Sequence, residues 1–142
     1  MPLSRDEKAT LLAATPLFAG VDAEDIAGIA DRTVEVDYGP GGVIARQGEI
    51  GTGFFVVVSG AVRVVRDGAT IARLGPGEFF GELSVLDQKP RNAQVVAHEP
   101  TVCLALAAWD LEAIVAEQSR VALALLRGMA TRLRGVTDAH RH

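Results

Sequence analysis

Gly77-Glu78-Phe79-Phe80-Gly81-Glu82-Leu83-Ser84-Val85-Leu86-Asp87-Gln88-Lys89-Pro90-Arg91-Asn92-Ala93-Gln94-Val95 is the stretch from which the rest of the chain is read. An apolar run stops at a glycine, a carboxylate follows at once, and a short helix-like turn is expected over Glu82 to Leu86. Pro90-Arg91-Asn92-Ala93 then opens a new alternating segment. Gly81 can take backbone angles closed to other residues and lets a ligand approach the main chain. The N–H groups that begin the turn have no intrahelical partner, so they point at whatever anion lies there. Arg91 brings a planar cation able to grip a phosphate with two parallel bonds. Glu82, ionised at neutral pH, only accepts hydrogen bonds and needs a donor such as a ribose hydroxyl. Together they describe a clamp, cationic at a phosphate end and anionic at a sugar end. A surface loop closed by a Glu82–Arg91 ion pair is the plain alternative.

Phe80-Gly81-Glu82-Leu83-Ser84, a spacer, and Pro90-Arg91-Asn92-Ala93 resemble the phosphate-binding cassette of the cyclic nucleotide-binding domain family. That family's pattern runs Phe-Gly-Glu-Leu/Ile-Ala/Ser, a spacer, then Pro-Arg-x-Ala. The resemblance implies a purine ribonucleoside 3′,5′-cyclic monophosphate as ligand, and no further cofactor. It assigns the exocyclic oxygens to Arg91, helped by the N–H groups of Asn92 and Ala93 and of Leu83 or Ser84. It assigns the ribose 2′-OH to Glu82 and lays the Gly81 backbone along the sugar. Asn92 departs from the Ala, Ser or Thr usual after the arginine. Its amide both donates and accepts, so either base could be served; cyclic AMP, the commoner ligand, is expected, with cyclic GMP as the alternative.

The flanking sequence fits a β-rich domain. From Thr33 the hydrophobic period is two: Thr33-Val34-Glu35-Val36-Asp37-Tyr38 alternates as a half-buried strand does. Val43-Ile44-Ala45, Phe54 to Val58 (apolar on both faces), Ala61 to Arg66 and Thr70 to Leu74 follow as strands. Asp67-Gly68 between the last two is a two-residue hairpin signal. Gly51 and Gly53 read as a turn, because neither a helix nor a Lys-Ser/Thr pair follows as a nucleotide fingerprint requires. Beyond the cassette come Gln94 to Ala97 and Thr101 to Leu106, split by His98-Glu99-Pro100. About eight short strands at even spacing predict a mainly β fold: an antiparallel eight-stranded jelly-roll barrel with N-terminal helices and two C-terminal helices.

One cyclic nucleotide-binding domain is expected over 1–142. Helices occupy 1–32, the β-roll 33–107 with the cassette at 80–93, and the C-terminal helices 108–142. In the first part Leu3, Leu11, Leu12, Leu17 and Phe18 form an apolar set broken at Thr15-Pro16. Asp22 is placed as N-cap of a second helix with Ile26, Ile29 and Ala30 inward. Trp109 to Gln118 carries Trp109, Leu111, Ile114 and Val115. The last helix, to about Thr137, has one stripe of Val121, Leu125, Met129, Leu133 and Val136, and a narrower face of Leu123, Leu126 and Ala130. Two apolar faces imply two partners, the barrel and either the bound base or a second subunit, unless both faces are core packing. Val62, Val64 and Leu83 are candidates for the base pocket, and Met129, Arg132, Leu133, Val136 and Thr137 for a lid over it.

Composition narrows the function. Residues 1–118 carry nine basic and seventeen acidic side chains, whereas the stretch from Ser119 has five Arg against one Asp. The acidic body argues against nucleic acid as the main partner. No run of eighteen apolar residues or signal-peptide layout is present, so a cytoplasmic protein with no membrane partner is expected. Cys103, the single cysteine, lies in an apolar run and reads as a core thiol. Metal catalysis needs clustered ligands, and the histidines are His98, His140 and His142. No Ser sits in a nucleophile elbow, so the chain reads as a non-enzyme. As given, it carries neither a helix-turn-helix nor membrane spans, which implies a free-standing sensor acting through an output protein or through self-association of its C-terminal helix. A barrel that keeps the fold but serves as a protein-interaction module is the remaining rival.

Overall fold

The computed structural model of the chain describes residues 2–49, 53–81 and 89–139. Helix α1 (Arg5–Ala13) starts at a capping box: the Ser4 hydroxyl accepts from the Glu7 N–H, and the Glu7 carboxylate accepts from the Ser4 N–H. Pro16 forces Thr15 into an extended conformation, which ends the helical register. The buried Thr15 hydroxyl donates to the Leu12 carbonyl at 2.7 Å. A 3-10 turn (Pro16–Phe18) and α2 (Ala23–Ala30) follow. Asp22 stands at the N-cap of α2 as expected, but its side chain makes no capping bond.

Among the described residues eight strands form the body: β1 (Val34–Tyr38), β2 (Val43–Ala45), β3 (Gly53–Ser59), β4 (Val62–Arg66), β5 (Ala69–Leu74), β6 (Phe79–Phe80), β7 (Gln94–Ala97) and β8 (Thr101–Ala107). They make two four-stranded antiparallel sheets, ordered β1-β8-β3-β6 and β2-β7-β4-β5. That order is a double-sheet jelly roll, not the closed barrel the strand count suggested. β2 and β6, three and two residues long, present too few backbone groups to carry a ladder from one sheet to the other. The β4–β5 hairpin turns at Asp67 and Gly68, both at positive φ (51° and 82°).

Two cores result, and β3 serves both. Phe54 and Val56 face the helices, packing with Phe18, Leu17, Ile29, Leu104 and Leu106. Val57 faces the interior between the sheets, with Val62, Phe80, Val95 and Cys103. A strand buried on both sides loses its alternation, which is why this run is apolar throughout.

Helices α3 (Ala108–Glu117) and α4 (Ser119–Ala139) close the fold. Leu111 and Ile114 are buried, whereas Trp109 in the same helix is 68% exposed. Two residues turn a helix by about 200°, so Trp109 and Leu111 face nearly opposite ways. On α4, Val121 and Leu125 are buried and Met129 joins the helical core, but Leu133 is 67% exposed. The helix crosses the 3-10 turn at Gly128, where a Cβ would lie 3.2 Å from the Pro16 and Leu17 carbonyl oxygens. Arg120 donates twice to Asp25, at 2.8 and 2.9 Å, and ties α4 to α2. That hydrogen-bonded guanidinium, by contact and then by charge, holds the Asp25 carboxyl below the usual aspartate value. Among the described residues no helix is long and apolar enough to cross a membrane.

Candidate functional site

The site grows from the end of β6. Phe80 is anchored in the second core, its ring stacked on Phe55 with centroids 5.1 Å apart. The backbone then leaves the strand through Gly81 at φ 94°. A Cβ there would lie 2.6 Å from the Gly53 carbonyl oxygen and 3.1 and 3.4 Å from the two terminal nitrogens of Arg91. The position therefore excludes every side chain, by backbone angle and by space.

Arg91 reaches the same place from ten residues further on. Its N–H donates to the Glu49 carbonyl at 2.7 Å, and its own carbonyl accepts from the Gly48 N–H at 2.8 Å. These bonds fix the Arg91 main chain against the turn that precedes β3. From this base the guanidinium Nη2 donates to the Gly53 carbonyl at 3.0 Å. Three separated segments (Gly53, Gly81 and Arg91) thus meet around one partly buried cation. A guanidinium is charged at any physiological pH and presents five N–H donors in a fixed fork. Set beside a side-chain-free backbone, it suits a compact anion that must come close to the main chain.

Other expected site residues distribute differently. Ala93 is buried where β7 begins. Asn92 is exposed, and its carbonyl accepts from Arg66 Nε at 3.1 Å. Glu82, Leu83 and Ser84 lie outside the described residues, as do the turn expected from Glu82 to Leu86 and the side chains of Arg132, Val136 and Thr137. Val62 is wholly enclosed in the second core, while Val64 is half-buried against it. Of the lid candidates, Met129 packs on the helical core and Leu133 is exposed. The main contacts of α4 run to the 3-10 turn and α3. A groove of about 600 Å³ between that turn and α4, lined by Asp25, Arg120, Arg127 and Gly128 among others, shares no residue with the Arg91 site. Sequence reasoning missed the roles of Gly53, Gly48 and Glu49. The Gly48-Glu49 turn before Gly53 was the available signal, but it says nothing of what the backbone bonds.

A helix-flanked double-sheet jelly roll, with an arginine laid over a positive-φ glycine, is the frame of this candidate site. Comparison with known proteins names it more closely. The chain belongs to the cyclic nucleotide-binding domain family, whose model, "Cyclic nucleotide-binding domain", matches residues 35–118. It is 38% identical over 125 residues to the cyclic AMP receptor protein of Thermus thermophilus, which covers 84% of this chain and 58% of that one. It is 38% identical over 98 residues to the cAMP-dependent protein kinase regulatory subunit of Yarrowia lipolytica, covering 69% of this chain and 25% of that one. A crystal structure of the N-terminal domain of a transcriptional regulator from Streptomyces coelicolor A3(2) superposes with a TM-score of 0.81 at 37% identity. That match covers 91% of this chain and 94% of the other. The chain thus spans just over half of one curated relative and a quarter of the other. A match to a transcriptional regulator's domain confines the argument from acidic charge against nucleic acid to this domain's own surface.

Proposed function

We propose that this domain is a cyclic nucleotide sensor whose ligand is cyclic AMP, with cyclic GMP as the alternative. The observation that carries the proposal is the Arg91 guanidinium held against the Gly81 backbone and the Gly53 carbonyl. The cyclic phosphate docks on Arg91, and the Gly81 main chain lies along the ribose. Glu82 takes the 2′-OH, the contact that separates ribo from deoxyribo ligands. Leu83, Ser84, Asn92 and Ala93 complete the phosphate cradle, and Val64 meets the base. The names of two relatives, a cyclic AMP receptor and a cAMP-dependent kinase regulatory subunit, favour adenine. The protein works in the cytoplasm as a regulator and not as an enzyme, and 1–142 acts as one domain.

The output runs through α4. Ligand contact with Met129, Leu133 and the residues beyond draws the helix from its seat on the 3-10 turn, the differential binding that a switch requires. Leu123, Leu126, Ala130 and Leu133 are exposed at spacings of three, four and three, the seam of a two-stranded coil. Self-association along that seam is the proposed relay. Thermal unfolding with each nucleotide tests the function: at one hundred times its dissociation constant a ligand adds about 2.7 kcal/mol. A raised midpoint with cyclic AMP is expected. No shift with either nucleotide would leave the domain a protein-interaction module.

A further inference from the structure

We infer that the outer face and free edge of the β4–β5 hairpin form a docking site for an extended acidic segment of a partner protein. Among the described residues β5 is the last strand of its sheet, and all but one of its six residues are exposed. Every second residue of such a strand turns its N–H and C=O away from the sheet, ready to pair with another strand. Ile71 lies where the register shifts, is half exposed, and gives the edge an apolar contact.

Charge identifies the occupant. Arg63 on β4 and Arg73 on β5 are directly opposite in the ladder and so point to the same face. Val62 and Val64, the neighbours of Arg63, face the second core, which places both arginines on the outside. Like charges directly opposite are unfavourable unless an anion lies between or beside them. Among the described residues neither has a carboxylate partner: Arg63 Nη1 donates to the Thr70 hydroxyl at 3.2 Å, and its buried Nε bonds nothing. An added strand would lie about 4.8 Å from β5. Acidic residues at alternate positions would then stand beside Arg73, within reach of Arg63. The row of backbone groups selects a peptide, because a nucleic acid or a lipid cannot continue a β-ladder.

The site is independent of Arg91 and of any nucleotide. The test titrates a blocked octapeptide of alternating glutamate and valine into the full chain and follows backbone amides by NMR. Shifts confined to Ala69–Leu74 and their β4 neighbours are expected, with none from the same peptide carrying lysine for glutamate. Arg73→Glu should weaken the acidic peptide about fivefold or more and admit the lysine peptide, while leaving the free protein's spectrum otherwise intact. Absence of shifts on β5, or equal binding of the two peptides, would overturn the proposal. So would inorganic phosphate or a single-stranded oligonucleotide reproducing the shifts at lower concentration.

Discussion

Gly81 joins backbone conformation to the proposed site at a single residue. At φ 94°, with the Gly53 oxygen 2.6 Å from where a Cβ would stand, alanine must move the backbone or break the Arg91–Gly53 contact. Strain of this kind costs about 1–3 kcal/mol. Gly81→Ala should lose that much stability in urea titration and also lose nucleotide affinity; a neutral result would mean that this tight approach is not needed. Cys103 allows a second check. Burial pushes its thiol up from 9.0 to about 11, and burial followed by the nearby Cys103 raises Tyr38 as well. A raised acid pKa means the unfolded thiol ionises first, so stability is unchanged below pH 9 and falls as pH rises toward 11. By linkage the Cys103 share reaches about 2–3 kcal/mol above pH 11, with about half of it lost by pH 10. Stability measured at pH 8 and pH 10 should drop, and Cys103→Val should reduce the drop. The backbone freedom that Gly81 uses is legible in sequence, because a φ of 94° favours glycine. Trp109 is not, since apolar character alone does not say which way a side chain faces.

Elements whose identity is set by local chemistry are equally legible. The Asp67-Gly68 turn takes the two positive φ angles its residues favour, and β2 spans the three residues expected. The capping box of α1 is written as Ser4 and Glu7 yet is easily passed over, because it precedes a weakly patterned helix. Barrel closure was the misjudged feature: strand count does not reveal ladders between sheets, and β6 is only two residues long. The α4 stripe is a similar case. Its period is continuous from Val121 to Leu133, but burial ends after the Gly128 crossing because nothing described lies beneath the later turns. Leu125→Ala should therefore cost about 2–5 kcal/mol. The double variant Leu126→Glu with Leu133→Glu should leave stability within about 0.5 kcal/mol and abolish self-association in sedimentation. A monomeric wild-type protein with and without nucleotide would remove the proposed relay.

Across the whole molecule, two cores divide the work. The helical core fixes α4 to α2 and the 3-10 turn, with Arg120–Asp25 as its outer clasp. The core between the sheets anchors Phe80, and through it Gly81, beside the Arg91 segment. An acidic body lacks general attraction for anions, so the proposed recognition rests on the few donors that the fold converges at one place. Removing the guanidinium deletes hydrogen bonds to a charged group, each contributing about 1.5–3 kcal/mol. Isothermal titration of cyclic AMP into the wild-type protein and into Arg91→Ala, with folding checked in both, measures this directly. The variant should bind at least about tenfold more weakly. Equal affinity in the two proteins would mean that the phosphate is held elsewhere, and the assignment of this site would be wrong.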